Sequence, residues 1–142
     1  MTSDGPREHF GCKVPESLVA SWRSYVGQRQ VIGQAEIFPA LVARLTWIRR
    51  LEGRRCIYFI DNDSARVALV KQYSPVLSSL RILIQCTTLD ALHLMVPWYA
   101  RVPTASNPAD GPSRLDDKDL RAVGSKPVAC RFPDGTTLDF GM

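Results

Sequence analysis

Three acidic residues stand where predicted helices and strands begin or end, and together they suggest metal-dependent chemistry. Asp61 directly follows the apolar run 57–60, Glu36 opens an amphipathic segment, and Asp110 lies where a loop rich in Pro and Gly enters a final helical turn. Carboxylate oxygens suit hard cations, and the carboxyl ends of strands face the crevice where α/β sheets bind ligands. Converging on one spot, the three acids would hold two divalent cations about 4 Å apart for phosphodiester hydrolysis.

Each of these acids also has an ordinary structural explanation. Glu36 would be favourable in any first helical turn, and an Asp before a Gly, as at Asp110, is typical of a turn. Asp63 is better explained as the cap of the following helix. Asp61 directly follows apolar and aromatic residues, and we interpret it as functional.

The segments that position these acids alternate between helix and strand. Apolar residues at helical spacing predict a helix over 34–51 that begins near Ala35 or Glu36, since Pro39 is tolerated only in a first turn. The β-branched and aromatic run 54–60 predicts a strand covered on both faces. The other predicted elements are strands at 7–14, 30–32 and 97–102, a helix or extended segment at 18–25, helices at 65–71 and 74–94, and a loop at 103–112.

Composition limits the class of protein. With 142 residues, 45% of them hydrophobic, the chain is long enough for one domain, predicted at 1–115, and a loosely docked tail at 116–142. A net charge of +4 mildly favours polyanions. The four cysteines are far apart in the sequence, which favours reduced, mostly buried thiols over a zinc site. No apolar run approaches the ~18 residues of a membrane span, so we expect an intracellular protein of the cytoplasm or nucleus.

The order and local sequence of the acidic motifs resemble the ribonuclease H domain that accompanies reverse transcriptases, most closely in retroelements of the DIRS and related types. Residues 34–37 are similar to that family's helix with its catalytic Glu, and residues 59–65 are similar to its Asp-Asn strand end. Residues 101–114, which contain Asn-Pro-Ala-Asp, are similar to its closing signature. The resemblance covers about residues 33–115.

The resemblance implies an α/β fold, a ribonuclease H-like mixed sheet flanked by helices, and hydrolysis of the RNA strand of an RNA–DNA hybrid. It makes Glu36, Asp61 and Asp110 the catalytic ligands of two Mg²⁺ ions, for which Mn²⁺ would substitute. The implied partners are a hybrid or other nucleic acid, recognised by backbone shape and 2′-hydroxyls, and a polymerase domain. Contacts with nucleic acid are predicted at Asn62, Arg54, Arg55, Arg101, Asn107 and Arg114.

One feature of that family has no counterpart here. Its fourth carboxylate is an Asp on the first, central strand, but the only Asp before Asp61 is Asp4, and no apolar strand precedes it. The sequence therefore resembles a ribonuclease H domain truncated at its amino end, with an exposed sheet edge. Two alternatives remain open: an inactive relic that binds nucleic acid or protein, and a nuclease or transposase of the same fold that acts on DNA. His93 is interpreted as a packed or half-exposed residue and not as a catalyst, and His9 has no evident partner.

Overall fold

The fold is a mixed α/β arrangement built around one β-α-α-β unit. The structure is a computed structural model that describes residues 7–11, 13–24, 32–135 and 137–138. The elements in chain order are β1 (Glu8–His9), α1 (Glu16–Arg23), α2 (Ile32–Thr46), α3 (Ile48–Leu51), β2 (Arg55–Ile60), α4 (Asp63–Lys71), α5 (Leu77–His93), β3 (Val96–Arg101), a 3₁₀ turn (Thr104–Ser106), α6 (Asp110–Ser113), α7 (Lys118–Ala122), β4 (Lys126–Pro127), β5 (Cys130–Arg131) and β6 (Thr137–Leu138). No helix among these is long and apolar enough to span a membrane.

Strands β2 and β3 are parallel, with Ile57 opposite Trp98 and Ile60 opposite Arg101. Helices α4 and α5 connect them, as a parallel pair requires a long crossover. Both strands and both helices were predicted from the sequence. Because parallel strands end at the same edge, the residue after β2, Asp61, lies beside the chain that leaves β3.

The core lies between α2, α4, α5 and one face of this strand pair. Leu41 of α2, Leu69 of α4 and Leu83 of α5 are each at most 2% exposed. Two residues of the carboxyl-terminal segment, Cys130 and Phe132, belong to the same buried cluster. The segment after residue 115 therefore packs more closely than its composition suggested, although the predicted domain division stays a prediction.

Helix α2 begins earlier than predicted. It starts at Ile32 and contains Pro39 in its interior, so Glu36 lies in the second turn and the prediction that it stands at the positive end of the helix dipole is wrong. An interior proline removes one hydrogen bond and costs ~3 kcal/mol. Burial of Ile37, Phe38 and Leu41 around the proline offsets that penalty. Sequence rules for proline do not include this contribution from packing. The strand predicted at 30–32 lies outside the described residues except for Ile32, which is helical.

The strand predicted at 7–14 is reduced to the two residues of β1, which pair in parallel with β4, far along the chain. The predicted segment 18–25 is the helix α1, Glu16–Arg23. The prediction of reduced cysteines holds for Cys56 and Cys86, which are free and buried. It is wrong for Cys130, which is disulfide-bonded.

Only one face of the β2–β3 pair is covered by described residues. Ile57, Phe59, Val96 and Trp98 alternate along the opposite face and are 58–71% exposed. The prediction of a strand covered on both faces is therefore wrong. The hydrophobic residues of β2 do not require burial on both faces, and no described element packs on this side.

Candidate functional site

Glu36 and Asp61 interact electrostatically. Glu36 projects from α2 and Asp61 follows β2, 25 positions later in the sequence. Partial burial raises the pKa of the Glu36 carboxyl, and the negative charge of Asp61 raises it further. Two carboxylates with like charges repel each other. This repulsion favours either a proton retained on one of them or a bound cation.

Asn107 connects this pair of acids to the chain that follows β3. Its side-chain amide donates a hydrogen bond to Asp61 Oδ2, 3.0 Å away. Its side-chain oxygen accepts from the backbone N–H of Ala109, also at 3.0 Å. The amide therefore orients the Asp61 carboxylate and at the same time fixes the turn that leads to Asp110.

Asp110 is the first residue of α6, as the sequence predicted. Its backbone N–H donates to Asn107 O at 3.2 Å, and its carboxylate lies 3.7 Å from the guanidinium of Arg114. Gly111 allows this turn, because a Cβ there would lie 2.5 Å from Asp116 O. Within the part of the chain that the structure describes, no three His, Cys, Asp or Glu side chains are grouped closely enough to hold a metal ion.

The residues predicted to contact nucleic acid fall into two groups. Arg101 and Arg114 are exposed near the carboxyl ends of the strands, on the side of the acids. Arg54 and Arg55 are exposed at the amino end of β2, about 20 Å from Asp61 for six residues at ~3.3 Å each.

Asn62, in contrast, has a structural role. Its side-chain oxygen accepts from the N–H of Ala65 at 2.8 Å and caps α4. The predicted cap, Asp63, lies instead in the first turn and pairs with Arg66. Contact of Asn62 with nucleic acid stays a prediction.

Helix α2, which carries Glu36, also contains a buried charge that the sequence did not predict. Arg44 is 0% exposed and forms two hydrogen bonds with the Asp90 carboxylate of α5, at 2.8 and 3.0 Å. Its guanidinium also lies 4.5 Å from the centre of the Tyr58 ring and donates to the Tyr99 hydroxyl. This Arg44 cluster joins α2, α5, β2 and β3.

Electrostatics within the Arg44 cluster explain how a buried charge is tolerated. Burial disfavours the guanidinium, but the hydrogen bonds with Asp90 outweigh it and the pKa of Arg44 rises. Burial likewise raises the pKa of Tyr58 and raises that of the Cys86 thiol to about 11. The cluster therefore contains one buried ion pair, Arg44 with Asp90, and the neighbouring tyrosine and cysteine side chains are neutral near pH 7.

A second missed network surrounds His9, which the sequence left without a partner. Its Nδ1 lies 2.7 Å from Ser125 Oγ and its Nε2 lies 2.9 Å from Asp117 Oδ2. The hydrogen bond with His9 lowers the pKa of Asp117, and Arg121 adds to the effect. His9 and Ser125 are 5% and 7% exposed, so substrate has little access to this Ser-His-Asp arrangement and its role is to hold β1 against the carboxyl-terminal segment.

Comparison of the chain with protein-family models, with curated proteins and with solved structures finds no match.

Proposed function

We propose that this chain is a ribonuclease H-like domain of a retroelement reverse transcriptase, and that it hydrolyses the RNA strand of RNA–DNA hybrids with Mg²⁺. The proposal is carried by interactions among three segments at one edge of the strand pair: the charge of Asp61 raises the pKa of Glu36, and Asn107 donates a hydrogen bond to Asp61. These are the segments whose sequences resemble the motifs of that family. The parallel strands and the helices between them are compatible with its fold.

Carboxylate oxygens at this edge are suitable ligands for Mg²⁺, which proteins often bind through one or two carboxylates together with substrate phosphates. Glu36 and Asp61 fit such a site, since their like charges are close enough to raise the pKa of Glu36. Asp110 would be the third ligand, and it is tied to Asp61 through Asn107. A site for two ions, as the resemblance implies, requires Asp110 to join the other two acids.

Within this site the protein's own groups would have separate tasks. Glu36 and Asp61 would bind the cation, and Asn107 would hold Asp61 in one orientation through its amide. Arg101 and Arg114, exposed at the same end, would neutralise phosphates of the bound strand. The bound Mg²⁺ would activate water and stabilise charge on the phosphodiester. The products would carry a 3′-hydroxyl and a 5′-phosphate.

The test is cleavage of a labelled RNA–DNA hybrid in the presence of Mg²⁺ or Mn²⁺. We expect Asp61→Asn and Glu36→Gln to reduce the rate by at least ~10²-fold. Asn107→Ala removes an orienting hydrogen bond, for which we expect a loss of ~10- to 100-fold. Asp63→Asn is the matched control: it changes a neighbouring carboxylate that pairs with Arg66 and should retain full activity.

Failure of the folded wild-type protein to cleave would overturn the proposal, as would undiminished cleavage by Asp61→Asn. A second candidate function is a catalytically inactive module that binds nucleic acid or protein. It is favoured by the finding that Glu36 and Asp61 are grouped without a third acid among the described residues. Salt-sensitive binding of the hybrid without cleavage would support this module.

A further inference from the structure

A basic cleft lies away from the carboxylates, between the end of α2 with α3 and the segment that leads into β5. Its volume is about 260 Å³, and its wall includes Glu8, Thr46, Arg49, Arg50 and Arg131. Drug-sized ligands occupy pockets of ~300–1,000 Å³, so a cleft of this size suits a single small group.

The wall of this cleft carries surplus positive charge. Arg50 forms an ion pair with Glu8, which leaves the two positive charges of Arg49 and Arg131. Both of these side chains are exposed, and neither guanidinium bonds to any described residue. Surplus charge in a concave surface attracts anions more strongly than the same charge on a flat face.

The two walls of the cleft are connected by a hydrogen bond. The backbone N–H of Arg131 donates to Thr46 Oγ1 at 3.0 Å, so the end of β5 lies against the last residue of α2. Arg49 follows three residues after Thr46, in α3. The spacing between the two guanidinium-bearing residues is therefore set by the fold.

We propose that this cleft binds a phosphate of a nucleic-acid backbone, with Arg49 and Arg131 as its two anchors. A guanidinium donates two parallel hydrogen bonds to phosphate oxygens and stays charged at any physiological pH. Two of them across a small cleft match one phosphodiester group. The sequence motifs do not assign this site, since its two anchors lie outside them.

This inference rests on the proposed function, because it gives the hybrid a second point of attachment. Ten residues of α2 separate Glu36 from Thr46, which is about 15 Å along the helix axis. Phosphates of one strand repeat every ~3.4 Å along a duplex. A duplex lying parallel to α2 would cover this distance in four to five nucleotides.

The test measures binding of a fluorescein-labelled RNA–DNA hybrid of about 18 base pairs by anisotropy, in EDTA, over a range of salt concentrations. The double variant Arg49→Gln/Arg131→Gln should bind the hybrid about tenfold more weakly. The slope of the logarithm of its binding constant against the logarithm of salt concentration should be smaller in magnitude by ~2. Arg49→Lys keeps the charge and should retain most of the slope. Arg23→Gln/Lys71→Gln removes two exposed charges elsewhere and is the matched control.

Wild-type affinity and slope in Arg49→Gln/Arg131→Gln would overturn the cleft as a site, even if the protein cleaves hybrids. Equal weakening by the control pair would also overturn it, because only net charge would then matter. The same would follow if inorganic phosphate bound the cleft without competing with the hybrid. Selective weakening in a protein that does not cleave would uphold the cleft while the proposed nuclease fails.

Discussion

Helix α2 carries two charged groups in opposite environments, Arg44 and Glu36. Arg44 is fully buried and its charge is matched by Asp90 with two hydrogen bonds. Glu36 is mostly exposed and only partly buried, and the one charge that raises its pKa is that of Asp61, which has the same sign. One cluster is electrostatically complete without any ligand, whereas the other has an excess of negative charge. The comparison indicates which end of α2 stabilises the fold and which end is open to a cation.

The largest effect should come from breaking the complete cluster. Removing one member of a buried ion pair costs about 3–5 kcal/mol, because the other charge stays buried without a partner. Arg44→Met should therefore lower the free energy of unfolding by that amount in urea titrations. The double variant Arg44→Met/Asp90→Leu should regain much of the loss. A loss below about 1 kcal/mol in the single variant would show that Arg44 is not the buried centre described above.

Neighbouring aromatic residues of β2 sharpen the same comparison. Tyr58 packs against the Arg44 guanidinium and against the Tyr99 ring, whereas Phe59 is 62% exposed on the other face. Tyr58→Ala should destabilise by ~3 kcal/mol, and Phe59→Ala by less than about 0.5 kcal/mol. Chemical unfolding of both variants measures the difference. Similar losses would mean that the outer face is covered in solution.

The incomplete cluster should respond to divalent cations. At a Mg²⁺ concentration ten times the dissociation constant, a ligand that binds only the folded state adds about 1.4 kcal/mol of stability. We expect the melting temperature of the wild type to rise with Mg²⁺, and the rise to disappear in Asp61→Asn. Asp63→Asn should keep it. An equal rise in wild type and Asp61→Asn would place the cation elsewhere.

The smallest effect concerns pH. The pKa of Glu36 in the folded protein lies above its ordinary value of 4.5, so the folded state retains a proton that the unfolded chain has lost. Stability therefore falls as pH rises from about 4.5 through the raised pKa. Urea midpoints between about pH 4 and 7 should decline less in Glu36→Gln than in wild type. A decline of equal size would assign the effect to other groups.

The local sequence pattern was sufficient to predict the β-α-α-β unit. The apolar run before Asp61 and the run before the Asn107 loop both form strands, and the turn at Asp110 is helical. The secondary structure of these segments depends mainly on residues that are close to them in the sequence. The convergence of Glu36, Asp61 and Asp110 stays a prediction, and the structure shows that the charge of Asp61 raises the pKa of Glu36.

Long-range partners account for what the sequence did not reveal. Arg44 looks like a polar position on an amphipathic helix, and its burial depends on Asp90, 46 positions away. His9 depends on Asp117 and Ser125, which are 108 and 116 positions away. The early start of α2 depends on packing around Pro39. None of these contacts produces a periodic pattern of apolar or polar residues from which it could be predicted.

The buried thiol of Cys86 makes the interface between α2 and α5 chemically observable. With a pKa of about 11, only about one molecule in ten thousand carries the thiolate at pH 7. The side chain is also 3% exposed, so alkylating reagents reach it only when α5 separates from its neighbours. Because Cys56 is also a free cysteine, the label on each thiol has to be located by peptide mass spectrometry. The rate of labelling at Cys86 then reports how often this half of the molecule opens.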